Sequence, residues 1–172
     1  MKDYQFEVCA NSVESCIAAQ AGGADRVELC AGIPEEEQPP HTAISSSHGK
    51  YCSRPNCISL SVPVRRFLYS STEQRIMLKD IENARRLGAD GVVFGCLTAE
   101  GDVDIPLMEQ LMKASQGMSV TFHRAFDVCR NLRKAIEDII ELGCNRILTS
   151  GQQPTAERGI PLLKELQQQA SD

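Results

Sequence analysis

No run of apolar residues in this chain is long enough to span a bilayer. The longest, residues 92–97, is interrupted by Gly95, whereas a spanning helix takes about 20 residues. The opening residues Met1, Lys2, Asp3, Tyr4 and Gln5 lack the apolar segment of a secretion signal, and a cytoplasmic location is expected. An excess of positive charge is missing too: 18 basic residues face 23 acidic ones, a formal charge of −5. That balance argues against nucleic acid or an anionic membrane as the main partner. The Gly-x-Gly-x-x-Gly turn of dinucleotide-binding sheets and the Cys-x2-Cys unit of zinc fingers are both absent.

What is present suits a single globular domain, residues 1–172. The chain is 42% hydrophobic and 24% charged, and its length allows a proper core. Its eight cysteines would suit a disulfide framework in a secreted protein. Without a secretion signal, and with several of them inside apolar runs, reduced thiols are expected.

Three segments repeat one pattern: GGADRVELCAG (22–32), LGADGVVFGCL (87–97) and LGCNRILTSGQ (142–152). In each, a glycine suited to a helix C-cap precedes a short β-prone run that ends on a small or reactive residue. Helical periodicity precedes each unit. Ile76, Met77, Ile81, Ala84 and Leu87 mark a helix over 73–87, and Ile136, Ile139 and Ile140 mark one over 132–142. A third is expected over 12–21, opened by Asn11 or Ser12 with Glu14 in its first turn. Strands are expected at 6–9 and 119–123, and a last helix at 161–169. Alternating α and β units with nearly continuous apolar strands imply a parallel sheet under helices. The regular repetition favours an α/β fold of the (β/α) TIM-barrel type. A full barrel takes about 250 residues, so an incomplete barrel of about six of the eight βα units is expected. Open sheet edges would invite homo-oligomers.

In such a barrel the functional groups stand at the C-terminal ends of strands. Those positions carry Glu7 and Cys9, Glu28 and Cys30, Cys96, His123 and Arg124, and Thr149 and Ser150. Glu7/Cys9 and Glu28/Cys30 are spaced i, i+2, so each pair projects to one side of its strand. If the two strands are neighbours, two carboxylates and two thiols line adjacent staves. Paired thiolates suit a soft ion such as Cu(I); equally, Cys9 and Cys30 read as small buried residues. In VTFHRAFD (120–127), His123 is a candidate acid or base, Arg124 an anion holder and Asp127 an orienting carboxylate. The other reading of that triplet is a structural network. Thr149, Ser150 and Gly151 suit phosphate binding or a plain strand-to-helix turn.

Residues 34–66 include His41, His48, Cys52 and Cys57 close together, which suggests zinc. Their spacing matches no common finger, and the glutamates, prolines and Ser/His run make a solvated loop the default. Residues 58–64 keep enough β-propensity to pair as a third strand.

FEVCANSVES, AGGADRVELCAG, MLKDIENARRLGADGVVFGCLTAEGDVD, VTFHRAFD and LGCNRILTSGQ, taken together and in order, resemble the CutC copper homeostasis family over residues 5–34 and 67–167. The resemblance implies a TIM-type barrel, a cytoplasmic location and Cu(I) as the copper ion bound, with Cys9 and Cys30 matching the family's copper cysteines. It also implies a barrel mouth that presents Glu7, Glu28, His123 and Arg124. Against the family pattern, the chain stops short of the last two strands, and 35–66 is a divergent, irregular segment. Where the family reads Gly-Gly-Thr-Thr-Pro-Ser-Tyr-Gly-Asp, codons for residues 35–44, with their free third bases chosen for it, can spell those same words when read from an offset frame. Roughly 36–66 is therefore expected to derive from a shifted reading frame, which resequencing of the gene decides.

Two function classes follow. The leading one is a copper homeostasis protein that binds Cu(I) through Cys9 and Cys30 for intracellular buffering or trafficking. The competing one is an enzyme in which Glu28 and His123 exchange protons and Arg124 anchors a small anionic substrate. A non-functional fragment is the third reading.

Overall fold

The computed structural model describes residues 4–30, 57–58 and 67–170. Its strands are β1 (Glu7–Ala10), β2 (Arg26–Leu29), β3 (Cys57–Ile58), β4 (Gly91–Phe94), β5 (Ser119–Phe122) and β6 (Arg146–Ile147). They form two three-stranded sheets, ordered β1-β2-β3 and β4-β5-β6, and every pairing is parallel. Helices α1 (Val13–Ala21), α2 (Ser71–Arg86), α3 (Ile105–Ala114), α4 (Leu132–Glu141) and α5 (Ala156–Gln169) follow β1, β3, β4, β5 and β6 respectively. Strand, crossover helix and parallel strand in repeated succession make this part of a (β/α) barrel, as the repeats imply.

Local chemistry sets the helix ends. Ser12 caps α1 by accepting the Ser15 N–H at 3.1 Å, and Asp104 caps α3 by accepting the Leu107 N–H at 3.1 Å. Past α1, α2 and α4 the chain turns through Gly23, Gly88 and Gly143, at φ of +89°, +81° and +82°. These are the repeat glycines, and their left-handed backbone is why each unit carries one.

At the start of α2, Ser70 and Glu73 form a reciprocal capping box: Ser70 accepts the Glu73 N–H, and Glu73 accepts the Ser70 N–H at 2.7 Å. Ser70→Ala leaves one of those N–H groups without its side-chain acceptor and is expected to cost about 1 kcal/mol, read by urea denaturation.

Two elements differ from expectation. Helix α5 begins at Ala156, ahead of Pro161, which lies inside it. The proline reads as a helix start, yet Gly159 inside the first turns packs so closely on Ser150 that a Cβ there would overlap its carbonyl. This contact anchors the helix N-terminal to the proline. The third strand is described only as Cys57–Ile58, where it pairs with β2 through Val27↔Cys57 and Glu28↔Ile58. His41, His48, Cys52 and, apart from 57–58, the rest of residues 35–66 lie outside the described residues, and so does the shifted-frame reading.

The main core fills the space between the β4-β5-β6 sheet and its helices, with Phe94, Phe122, Phe126, Met77, Met108, Leu111 and Ile139 fully buried. A smaller cluster of Ala10, Cys16, Ala24, Val27 and Leu29 seats α1 against β1 and β2.

Candidate metal centre

Parallel pairing of β1 with β2 places Cys9 directly opposite Glu28 and Glu7 directly opposite Arg26. Side chains alternate along each strand, so Glu7, Cys9, Arg26, Glu28 and Cys30 stand on one face. They separate into two layers. In the lower layer Glu7 ion-pairs with the Arg26 Nε, and Gln5 accepts from the same guanidinium at 2.9 Å. In the upper layer the Cys9 Sγ donates to Glu28 Oε2 at 3.3 Å. One donor atom from each of Cys9, Glu28 and Cys30 lies within 4.8 Å of the others.

The neighbouring-stave expectation holds for Glu28 and both thiols. Glu7 lines the same face as well, but one layer below, where it is committed to Arg26. Burial in the cluster is graded: Cys30 is 0% exposed and Glu28 2%, whereas Cys9 is open to solvent. Cys30 is held just past β2, its N–H donating to the Ala10 carbonyl at 2.8 Å. A metal–thiolate bond of about 2.3 Å puts two donors at most about 4.6 Å apart. The cluster therefore fits one metal ion with only slight closure, and Cys9 gives it a route in.

Of His123, Arg124 and Asp127, close in sequence, Arg124 and Asp127 stay paired in the fold, whereas His123 makes separate contacts. Asp127 joins the loop after β5 to the loop after β6. It accepts the Thr149 hydroxyl at 2.6 Å, the Ser150 N–H at 3.1 Å, the Gln152 N–H at 3.0 Å and the Arg124 Nε at 2.8 Å. Burial opposes its charge, but the Thr149, Gln152, Ser150 and Arg124 donors outweigh it and hold the carboxyl below its ordinary value. Arg124 also donates to the Ser150 hydroxyl at 2.6 Å. The Thr149–Ser150 turn that reads as a phosphate cradle thus directs its Ser150 and Gln152 N–H groups, with the Thr149 hydroxyl, at Asp127.

His123 is 1% exposed and sits edge-on to Phe67, with ring centroids 5.0 Å apart. Its Nδ1 accepts the Ala125 N–H at 3.3 Å. A Cβ on Gly95 would come within 2.7 Å of that nitrogen, so only glycine lets the ring lie there. Burial pushes the imidazole down to about 4. A histidine that is neutral in the fold but charges at about 6.5 when unfolded lets the unfolded state bind the extra proton between those values. The resulting stability is complete above the unfolded value and is lost as pH falls from there toward 4. Wild type is expected to lose about 2 kcal/mol between pH 7 and pH 5 from this group, and His123→Leu to flatten that part of a pH series of urea melts.

The other thiols are core groups. Cys96, at the end of β4, is fully buried, and burial with the nearby Asp104 pushes its thiol far up. Burial also raises Cys129 to about 12 and Cys144 to about 11. Among the described residues, the Cys9–Glu28–Cys30 group is the one set of three donors spaced for a metal. In the enzymatic reading Glu28 is a proton carrier. Its parity with Cys30 is the signal in the sequence, and its pairing opposite Cys9 the one in the fold, that mark it as a third donor.

Fold and site together define a class: a parallel (β/α) barrel protein with a thiol–carboxylate cluster at the C-terminal ends of its first two strands. The model of the CutC family matches residues 4–172, and the chain belongs to that family. A Bacteroides thetaiotaomicron protein named as a CutC family protein is 68% identical over 172 residues, which is 99% of this chain and 69% of that one. A Pasteurella multocida protein of the same name is 42% identical over 168 residues, covering 98% of this chain and 69% of the relative. Among solved structures, one from Streptococcus agalactiae that carries the copper homeostasis name CutC superposes with a TM-score of 0.88. It is 27% identical, with 98% of this chain and 84% of that one covered. The aldolase QR15, 16% identical with a TM-score of 0.68, shares the fold alone. No helix among the described residues is long and apolar enough to cross a membrane.

Proposed function

We propose that this protein serves copper homeostasis in the cytoplasm, taking up Cu(I) through Cys9 and Cys30 as a buffer or carrier. The observation that carries this reading is the approach of the two sulfurs to within 4.8 Å of each other beside Glu28. Cu(I) is a soft ion satisfied by few sulfur donors, and two thiolates on adjacent strands supply them without rearranging the sheet. Cys9, exposed, is the entry ligand that meets an incoming copper complex, and Cys30, buried, is the one that retains the ion. Transfer by exchange of thiolate ligands needs such an accessible sulfur. The CutC names of the relatives and the copper homeostasis name of the Streptococcus agalactiae protein support the same reading.

The enzymatic reading gains no such support. His123 is neutral and enclosed, and Arg124 is engaged by Asp127 and Ser150. An anaerobic titration against a chromophoric Cu(I) chelator tests the copper proposal. One tightly held Cu(I) per chain is expected, with iodoacetamide labelling of Cys9 blocked by the metal. Affinity unchanged in both Cys9→Ser and Cys30→Ser would show that the ion sits elsewhere.

A further inference from the structure

We infer that Glu28 makes the same centre a site for a divalent, borderline-soft ion, with Zn2+ as its representative, in competition with Cu(I). The inference rests on the reading of Cys9 and Cys30 as metal ligands and adds a third donor to it. Cu(I) is served by the two sulfurs and has little use for a hard carboxylate oxygen. Yet the carboxylate lies inside the donor set: Glu28 Oε2 is 3.3 Å from the Cys9 Sγ, and all three donor atoms fall within 4.8 Å. Two sulfurs and a carboxylate oxygen are a donor combination that zinc accepts.

The solvent-facing side is equally telling. Three protein donors leave a tetrahedral ion one position for water, and water has a route to the centre past exposed Cys9, whereas Glu28 and Cys30 are buried. Charge acts in the same direction. When bound to metal, two thiolates and a carboxylate carry three negative charges. A monovalent ion leaves two of them uncompensated beside fully buried Cys30, and a divalent ion leaves one. Uncompensated charge away from water is costly, so Glu28 shifts the balance toward the divalent ion.

The test is an anaerobic titration of the whole chain with Zn2+ against a zinc indicator. It is repeated with Co2+ as an optical stand-in and with Cu(I) as competitor. Wild type is expected to bind one Zn2+ that Cu(I) displaces, and its Co2+ form to show thiolate charge-transfer bands with four-coordinate ligand-field intensity. Glu28→Gln, which keeps shape and removes charge, is expected to weaken Zn2+ by at least the about tenfold that losing even an outer-shell partner costs, while Cu(I) affinity stays or rises. Retained Cu(I) binding also shows that the variant is folded, and the Co2+ spectrum of wild type needs no variant at all.

Equal Zn2+ affinity in Glu28→Gln overturns the inference. So does Zn2+ that persists in the Cys9→Ser, Cys30→Ser double variant, a Co2+ spectrum without thiolate bands, or a Glu28→Gln protein that loses both ions alike. Cu(I) binding without Zn2+ binding removes this inference and leaves the copper proposal standing; binding of neither ion removes both.

Discussion

Cys30→Ser is expected to weaken Cu(I) binding by at least about a hundredfold, since it removes a ligand and the loss of an outer-shell partner alone costs about 10–100-fold. Cys9→Ser is expected to do the same, and comparing the two separates ligand loss from unfolding. Cys30 is fully buried and its N–H is tied to Ala10, so a hydroxyl there also perturbs packing. Cys9 is exposed, and a surface substitution of this size changes stability by within about 0.5 kcal/mol. Affinity lost in Cys9→Ser at an unchanged melting temperature therefore reports coordination alone. Chelator competition and thermal melting on the same preparations give both numbers. If Cys9→Ser binds Cu(I) as wild type does, the two-thiolate centre is wrong.

Asp127→Ala is expected to destabilise the fold by about 2–3 kcal/mol, the cost of leaving hydrogen-bond donors that now bond a charged acceptor without it, since the freed Arg124 is half exposed and solvated. The carboxylate is 8% exposed and gathers the Thr149 hydroxyl, the Ser150 and Gln152 N–H groups and Arg124 from two different loops. Without it, each donor is left to find water in a crowded turn. Asp127→Asn keeps one acceptor oxygen and is expected to fall between the two. The pH dependence has a definite sign. The folded carboxyl lies below its ordinary value of 3.8, so its stabilisation is complete above that value and is lost as pH falls through the folded one. The gap between wild type and Asp127→Asn in urea melts is therefore widest near neutrality and closes in acid. A constant gap down to strongly acid pH would contradict the charged network.

The path from sequence to site shows which features are local and which are not. The i, i+2 spacing of Cys9 and Glu7, and of Cys30 and Glu28, already states that each pair shares a face. The repeat glycines already state where helices end. Both are properties of a few consecutive residues, and both appear in the structure. The division of the face into two layers depends on the register of β1 against β2. That pairing puts Arg26 opposite Glu7 and leaves Glu28 for Cys9. A register is a tertiary fact with no local spelling, so the sequence lines up Glu7 beside the thiols but does not show Arg26 as its partner.

VTFHRAFD shows the same limit from the other side. His123, Arg124 and Asp127 are the right residue types for proton transfer and anion binding. Their roles are decided by Gly95 and Phe67, which enclose the imidazole, and by Thr149, Ser150 and Gln152, which surround the carboxylate. Helix α5 repeats the lesson: its proline was legible, but the packing of Gly159 on Ser150 that starts the helix earlier was not.

X-ray absorption at the copper edge, on protein loaded anaerobically with one equivalent of Cu(I), tests the central claim most directly. The account predicts sulfur scatterers from both Cys9 and Cys30, with one sulfur lost in either single serine variant and the site gone in the double variant. Copper surrounded by nitrogen and oxygen, or a sulfur shell that survives in the double variant, would contradict it.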